Sequence, residues 1–150
     1  HQHPFYTKNL HIFTLPDHPD LDGIKTIGNL HDLSHKKYSV ITYLGNGWHR
    51  KNVDVLNVKS VLSNSLDSVW KMLIAGRGDI VIEWPGAAWP SLKRMGLDQK
   101  VVDTGIVISQ MQFYLLINKT SPNVKILENF DTVIQEMKKD GSYYRILSNY

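Results

Sequence analysis

The sequence contains no cysteine among its 150 residues. Disulfide bonds, thiolate metal sites and cysteine nucleophiles are therefore excluded, while both an oxidising periplasm and the cytosol tolerate such a chain. No run of about 18 apolar residues occurs, so membrane insertion is not expected. No basic and apolar leader opens the chain, so an exported protein would be a mature or trimmed chain without its signal peptide.

The sequence also lacks any segment in which one sign of charge accumulates. The formal net charge is +3 and the isoelectric point is about 9.1. The short basic pairs, Lys36-Lys37 and Lys138-Lys139, stand beside histidine or aspartate, and no aromatic residues alternate with them. Nucleic-acid binding requires a basic patch or stripe, so we do not expect it here.

Sequence motifs of common enzymes are missing as well. The chain has no phosphate-binding P-loop, no dinucleotide-binding glycine motif and no G-x-S-x-G element that would give His49 and Asp54 a nucleophilic partner. We therefore expect no enzyme, no catalytic residues, no cofactor and no metal site. A small α/β enzyme that binds phosphate at the loop after Gly45 remains the alternative, which turnover of a phosphoester would support.

What the sequence does contain is an alternation of strand and helix patterns. The clearest helix has apolar residues at positions 66, 69, 70, 73 and 74, a single continuous face, with Ser63 or Asn64 as its cap and Gly76 as its end. Further helices are predicted at 89–95, 127–139 and 143–148, and strands at 10–15, 38–43, 55–61, 79–83, 100–108 and 111–118. This alternation predicts an α/β sandwich with a largely parallel sheet.

Three segments carry a resemblance to a known family. They are Asp32 to Val40, with the sequence DLSHKKYSV, Leu73 to Glu83, with the sequence LIAGRGDIVIE, and Asn129 to Tyr150, which contains the Asp140-Gly141-Ser142 turn and a terminal tyrosine. In this order and spacing, they are similar to the type 2 periplasmic solute-binding proteins of the amino-acid transporter kind. The resemblance covers about residues 30 to 150.

The resemblance implies a three-layer α/β sandwich, with one complete lobe and a C-terminal return segment. Residues 1–23 would be the end of a first lobe and the first crossover strand, and residues 24–108 the second lobe. Residues 109–150 would be the second crossover strand and the C-terminal helices of the first lobe. Most of the first lobe has no counterpart in this sequence, and a second copy in a homodimer is one way to cover the missing part.

The resemblance also points to ligand-binding residues. Glu83 matches the acidic residue that meets a ligand's amino group, and it stands at the end of a strand, where α/β proteins bind ligands; the alternative is a surface carboxylate paired with a lysine. The Gly45-Asn46-Gly47 loop with Trp48 could hold an anion or be a plain turn. Trp84 could form an aromatic wall or simply pack.

The resulting functional prediction is extracytoplasmic binding of a small, amino-acid-like polar solute in the periplasm. The solute would be delivered to an inner-membrane permease of an ABC transporter, with closure of two lobes over it. The alternative is a sensory or accessory module, or a truncated remnant, with no role in transport.

Overall fold

A computed structural model describes residues 3–148 of the chain. His1, Gln2, Asn149 and Tyr150 lie outside the described residues, so the terminal tyrosine of the third motif is not assessed. The fold is α/β, with one mixed five-stranded sheet. The chain divides into two compact units, Asn9–Gln110 and the remainder, which comprises His1–Lys8 and Met111–Tyr150. The lobe boundaries near residues 23 and 108 stay a prediction.

The described residues form five strands and seven α-helices. The strands are β1 (Tyr6–Thr14), β2 (Val40–Tyr43), β3 (Ser60–Ser63), β4 (Ile80–Glu83) and β5 (Val102–Phe113). The helices are α1 (Leu21–Ile24), α2 (Leu30–Lys36), α3 (Gly47–Asn52), α4 (Leu66–Ile74), α5 (Pro85–Arg94), α6 (Ile126–Lys139) and α7 (Ser142–Leu147), with a short 3-10 helix at Asp54–Leu56. None of the helices within residues 3–148 has the length and apolar character needed to cross a bilayer.

The sheet has the strand order β3-β2-β4-β1-β5. Strands β3, β2 and β4 run parallel, whereas β1 runs antiparallel to β4. The carboxyl ends of the three parallel strands therefore lie at the same edge of the sheet as the start of the paired part of β1. We call this edge the carboxyl edge and the opposite one the amino edge.

One face of the sheet is covered by an apolar core that includes α4 and α5. Phe13, Val81 and Ile41 are direct neighbours across β1, β4 and β2, and all three are buried. The ring of Phe13 meets Trp70 of α4 at 5.6 Å and Trp89 of α5 at 5.8 Å, both edge to face. Such contacts add to the hydrophobic free energy of burial and fix both helices on this face.

The predicted helix over the second motif is confirmed as α4, with one change at its start. Ser65, rather than Ser63 or Asn64, is the cap, because its hydroxyl accepts a hydrogen bond from the Ser68 backbone N–H at 3.2 Å. Gly76 follows the helix with φ of +66°, a conformation that side chains other than glycine rarely adopt.

The strand predicted at 55–61 is wrong over its first five residues, and only Ser60 and Val61 belong to a strand. Its first residues form the 3-10 helix Asp54–Leu56, Asn57 turns the chain with φ of +55°, and β3 begins only at Ser60. The β-branched valines of this segment suggested a strand, but they do not share one environment: Val58 is buried, whereas Val55 is 68% exposed. β3 starts where its backbone pairs with Val40 of β2, and sequence does not reveal this register.

The strands predicted at 100–108 and 111–118 are confirmed over residues 102–108 and 111–113, but the break between them is wrong, because both belong to one continuous strand, β5, which ends at Phe113. The polar pair Ser109-Gln110 suggested a break, yet the Gln110 side chain donates to that of Asn9 at 2.9 Å. Thr104 Oγ1 likewise donates to the carbonyl of Ile12 at 2.8 Å. These bonds hold β5 beside β1 along this stretch.

The unit made of the two chain termini contains α6 and α7, which confirm the helices predicted at 127–139 and 143–148. No residue of either helix is buried. Phe130 of α6 meets Phe5 edge to face at 6.4 Å, and the Tyr143 hydroxyl donates to the Phe5 carbonyl at 2.5 Å. The predicted inward face of α6 is only partly covered, and Val133 remains 48% exposed.

Candidate functional site

The carboxyl edge is the part of the Asn9–Gln110 unit where three strands end and three helices begin. α3 follows β2, α4 follows β3 and α5 follows β4, each after a short connection. In α/β sheets, ligands bind outside the carboxyl ends of parallel strands, where loops and helix starts present backbone N–H groups. This edge is therefore the first place to look for a site.

A row of polar side chains crosses the sheet at this edge. Glu83 lies directly opposite His11 in the β4–β1 pair, and Tyr43 lies opposite Ser63 in the β2–β3 pair. Because Ile41 is the partner of Val81, the residues two positions further on, Tyr43 and Glu83, are also neighbours on the same face. We define the polar row as Ser63, Tyr43, Glu83, His11 and Asp103.

The row is one step beyond the apolar core on the same face. The core residue two positions away from each of these polar residues is Val81 for Glu83, Phe13 for His11 and Ile41 for Tyr43. The apolar residues anchor each strand, and the polar residue at its end stands where the core meets the rim. Each of the five strands thus contributes one residue to the polar row.

At one end of the row, His11 is held by Asp103 of β5. The His11 Nδ1 atom lies 3.0 Å and 2.9 Å from the two carboxylate oxygens of Asp103. The two side chains are 20% and 18% exposed, respectively. A partly buried carboxylate so close to a ring nitrogen fixes the orientation of the imidazole.

In the middle of the row, Glu83 is close to Tyr43. Burial, and secondly the negative charge of Glu83, raise the pKa of the Tyr43 hydroxyl, which therefore stays protonated. The Glu83 Oε1 atom accepts a hydrogen bond from the backbone N–H of Trp84 at 2.8 Å. This contact orients the carboxylate at the start of α5.

The predicted loop Gly45-Asn46-Gly47 lies at the same edge and lines a cavity of about 290 Å³. Thr42 and Tyr43 also line it, so the cavity reaches the end of β2, where Tyr43 belongs to the polar row. Gly45 has φ of +86°. Asn46 caps α3, because its side chain accepts from the His49 N–H at 3.1 Å and donates to Thr42 Oγ1 at 3.2 Å.

Two residues that line this cavity, His49 and Asp54, meet Ser60, and the sequence did not connect these three groups. The buried His49 Nε2 atom lies 2.8 Å from Ser60 Oγ and 3.2 Å from Asp54 Oδ1, and Ser60 donates to Asp54 at 3.0 Å. Burial lowers the pKa of His49, although Asp54 opposes this effect. A catalytic triad needs the two histidine nitrogens to face different partners. In this protein, His49 Nε2 alone faces both Ser60 and Asp54, so the three side chains link α3 to β3 instead of forming a triad.

The two predicted tryptophans at this edge have structural contacts. Trp84 caps the start of α5, and its ring covers Gly86, where a Cβ atom would come within 2.2 Å of the ring. Trp48 lies in the first turn of α3, and its carbonyl accepts from the Asn52 side chain at 2.8 Å. Neither contact tests a role in binding.

The structure therefore places Glu83 in the polar row, Trp84 next to it in the chain, and Gly45, Asn46 and Gly47 on the neighbouring cavity. His11, Asp103 and Tyr43 were missed, since only strand order and register bring them to Glu83. The sequence signal that could have found them is the spacing within each strand: Tyr43 and His11 each stand two positions from a buried apolar residue, as Glu83 does from Val81. Within residues 3–148, no three histidine or acidic side chains converge to hold a metal ion.

Comparison with known proteins gives a likeness in structure only. No protein-family model and no curated protein sequence matches the chain. An ancestral arginine-binding protein bound to glutamine superposes with a TM-score of 0.59 at 24% identity, covering 98% of this chain and 61% of its own. The ligand-binding core of GluR0 from Nostoc punctiforme, in complex with L-glutamate, gives 0.64 at 16% identity, covering 98% and 62%.

A histidine kinase sensor domain with similarity to periplasmic binding proteins gives a TM-score of 0.65 at 17% identity, covering 98% of this chain and 60% of its own. The chain has the fold of the periplasmic binding proteins. The predicted fold class is thereby confirmed. The chain spans about three fifths of the length of these structures.

Proposed function

We propose that the chain is the solute-binding part of a protein that captures a small amino-acid-like solute at the carboxyl edge. The observation that carries this proposal is the polar row, in which Glu83 stands at the end of a parallel strand between Tyr43 and His11. The likeness to structures described as binding glutamine and glutamate supports it.

The chemistry of the row suits a positively charged group. Glu83 and Asp103 are carboxylates, and Tyr43 offers a neutral hydroxyl. A partly buried carboxylate attracts an ammonium group more strongly than it would in water, because the effective dielectric constant is lower. Glu83 would bind the ammonium group of the solute, and Trp84 would form the adjoining wall.

The loop at Gly45-Asn46-Gly47 and Trp48 would contact the opposite end of the solute. The first backbone N–H groups of a helix have no acceptor within the helix, and α3 begins at Gly47. Such N–H groups can donate hydrogen bonds to a carboxylate of the solute. Asn46 supports this contact indirectly by holding the start of α3.

The test is a thermal-melt and calorimetry screen with L-arginine, L-glutamine and L-glutamate. A solute present at one hundred times its Kd stabilises the folded chain by about 2.7 kcal/mol, which raises the melting midpoint measurably. We expect Glu83→Gln to weaken binding at least tenfold, since the mutation removes the charge that faces the ammonium group. Glu136→Gln, on an exposed position of α6, is the matched control.

If none of the three amino acids shifts the midpoint, this chain does not bind amino acids by itself. If one does, and Glu83→Gln binds it as well as the unmodified chain does, the assignment of the site to Glu83 is wrong. Delivery of the solute to an inner-membrane permease in the periplasm is the further part of the proposal. Reconstituted transport with the intact protein would test it.

A sensory or accessory module is the second candidate, and the likeness to a histidine kinase sensor domain favours it. The two candidates predict the same solute binding and differ in what the intact gene product contains. A kinase or receptor module in the same gene product would favour sensing. Solute uptake that depends on this protein would favour transport.

A homodimer would cover α6 and α7, the incompletely buried helices of the unit made of the two chain termini. α6 and α7 expose Ile126, Val133, Tyr144, Ile146 and Leu147. Apolar side chains on neighbouring helices are a frequent basis of association. Sedimentation of the purified chain would show a dimer that Val133→Glu converts to monomer, whereas a monomer at all concentrations would refute this assembly.

A further inference from the structure

We propose that His31 and His35 form a bidentate binding site for a divalent transition-metal ion, such as Zn²⁺, on the surface of α2. The site does not depend on the proposed function, since neither histidine belongs to the polar row or lines the cavity at Gly45. The spacing of the two residues, their free ring nitrogens and the fixed helix that carries them support this assignment.

The spacing of the two histidines places them on one face of a helix. Both lie within α2, which spans Leu30–Lys36, and they are four positions apart. Residues at i and i+4 have Cβ atoms about 5–6 Å apart, and the two histidines of the zinc-binding H-E-x-x-H helix have the same spacing. No helix was predicted over residues 30–36, so the sequence alone did not bring the two rings together, and no metal site was expected.

The ring nitrogens of His31 and His35 have no hydrogen-bond partner among residues 3–148, and both residues are exposed. The hydrogen bonds of His31 are made by its backbone N–H and carbonyl. In contrast, a ring nitrogen is hydrogen-bonded in each of the other histidines of the Asn9–Gln110 unit, which are His11, His18 and His49. A neutral imidazole has one unprotonated nitrogen, the atom that binds a metal ion, so α2 presents two such ligands.

Contacts along α2 fix the positions of the two histidines before a metal ion binds. At the start, the Asn29 side chain accepts from the N–H groups of His31 and Asp32 at 2.9 Å and 3.3 Å, and Asp32 accepts from the Asn29 N–H at 3.2 Å. Leu33 is fully buried, and Lys36 Nζ donates to a backbone carbonyl of α1 at 3.1 Å. Because the backbone is already ordered, binding loses little conformational entropy beyond that of the two rings.

Two imidazoles determine which metal ions the site takes. Nitrogen ligands suit Zn²⁺, Ni²⁺ and Cu²⁺, whereas Ca²⁺ and Mg²⁺ take oxygen ligands. Zinc in proteins is almost always four-coordinate in structural sites, so water would fill the two positions that the histidines leave open. The negative charge of Asp32 acts on His35 and favours a cation, although Lys36 offsets part of it. The site therefore discriminates between types of metal ion but binds less tightly than a site with three or four protein ligands.

The first test follows the ring nitrogens during a zinc titration. The chain carries His1→Gln and His3→Gln, which remove the histidines near its start, and it is labelled with ¹⁵N in the remaining ones. Zinc chloride is added at about pH 7.5, where a free imidazole is mostly neutral, with calcium chloride at equal ionic strength as the reference. We expect the signals of His31 and His35 to move together and to saturate at one zinc ion per chain, while the other histidine signals stay in place and calcium moves none.

The second test measures zinc affinity by calorimetry in the same background. We expect His31→Ala and His35→Ala each to weaken binding at least tenfold, because a single ligand lacks the gain from a second one held nearby. The matched control combines His35→Ala with Lys37→His, which keeps the number of imidazoles but places the second beyond the end of α2. This variant should bind zinc no more tightly than His35→Ala. All three positions are exposed, and unchanged signals of His11 and His49 would show that the fold is retained.

Joint movement of the two signals, together with the loss of affinity in both single variants, would support the site. The inference is overturned if zinc moves neither signal, if it moves only one, or if either single variant binds zinc as tightly as the background chain. A relocated pair that binds as tightly as the pair on α2 would also overturn it, because the spacing on the helix would then not matter. Binding of amino acids and the effect of Glu83→Gln decide the proposed function separately.

Discussion

The two edges of the sheet in the Asn9–Gln110 unit carry similar residue types but arrange them differently. At the amino edge, Asp79, Ser39 and His18 meet near the starts of β2 and β4, and at the carboxyl edge Glu83, Tyr43 and His11 meet near their ends. Each edge combines a carboxylate, a hydroxyl and an imidazole. The difference lies in how hydrogen bonds connect these groups.

At the amino edge, the polar groups form a closed network. Asp79 Oδ2 accepts from the Ser39 N–H at 2.7 Å and from Ser39 Oγ at 2.6 Å, while Oδ1 meets His18 Nε2 at 3.1 Å. The carbonyl of Asp79 accepts from Thr14 Oγ1 at 2.7 Å. A single residue therefore joins β1, β2, β4 and the loop after β1.

Next to this network, Tyr38 donates its hydroxyl to Asp20. Burial, followed by the hydrogen bond to Asp20 and the charges of Asp20 and Asp79, raises the pKa of Tyr38 to about 12. A cavity of about 640 Å³ opens beside these groups, and the side chains of His18, Tyr38 and Asp79 that line it are already hydrogen-bonded. Satisfied hydrogen bonds at the amino edge indicate a structural role, whereas the carboxyl edge is the one at which we propose that a solute binds.

The largest effect that this comparison predicts is the loss of stability in Asp79→Ala. The mutation removes three charge-assisted hydrogen bonds and leaves the partly buried Ser39 N–H without its acceptor. We expect the free energy of unfolding to fall by about 3 kcal/mol, measured by urea denaturation. Asp17→Ala, an exposed neighbour, should change it by less than about 0.5 kcal/mol. If Asp79→Ala and Asp17→Ala lowered the free energy of unfolding equally, Asp79 would not hold the amino edge together.

A smaller effect is expected from acid. Burial raises the pKa of Asp79, but the hydrogen bonds from Ser39 and His18 outweigh it and hold the pKa below its usual value. A carboxyl with a lowered pKa in the folded state stabilises the fold above its unfolded pKa, and this stability is lost as the pH falls through the folded pKa. The stability difference between the unmodified chain and Asp79→Ala should therefore be full near neutrality and shrink below about pH 4.

The control for the acid effect is the same comparison with Asp17→Ala, whose difference should stay small at every pH. A difference between Asp79→Ala and the unmodified chain that is constant down to pH 2 would show that the loss comes from packing rather than from the charge of Asp79.

The periodicity of single elements could be read from the sequence. The apolar stripe of α4 and the glycine that follows it gave the helix, and the short apolar run before Glu83 gave β4. Each signal is local, since a helix or a buried strand places its own apolar residues at a fixed spacing. The fold class followed from the order of these elements.

The pairing between elements could not be read in the same way. His11 and Asp103 are 92 positions apart, and nothing in either segment specifies the other. The start of β3 and the continuity of β5 likewise depend on backbone partners in β2 and β1. His11, Asp103 and Tyr43 could therefore not be predicted as members of the candidate site, because strand order and register, rather than local pattern, bring them to Glu83.

The smallest effect on stability should come from Glu83→Gln, and it sharpens the comparison most. Glutamine keeps an oxygen that accepts the backbone N–H of Trp84, so the start of α5 is preserved. Removing a negative charge from a row that also contains Asp103 offsets part of any loss, because like charges at short distance repel. We expect the free energy of unfolding to change by less than about 0.5 kcal/mol, measured by urea denaturation beside Asp79→Ala. A loss as large as that of Asp79→Ala would mean that Glu83 holds the fold together as Asp79 does, and the carboxyl edge would then be a second structural network rather than a binding site.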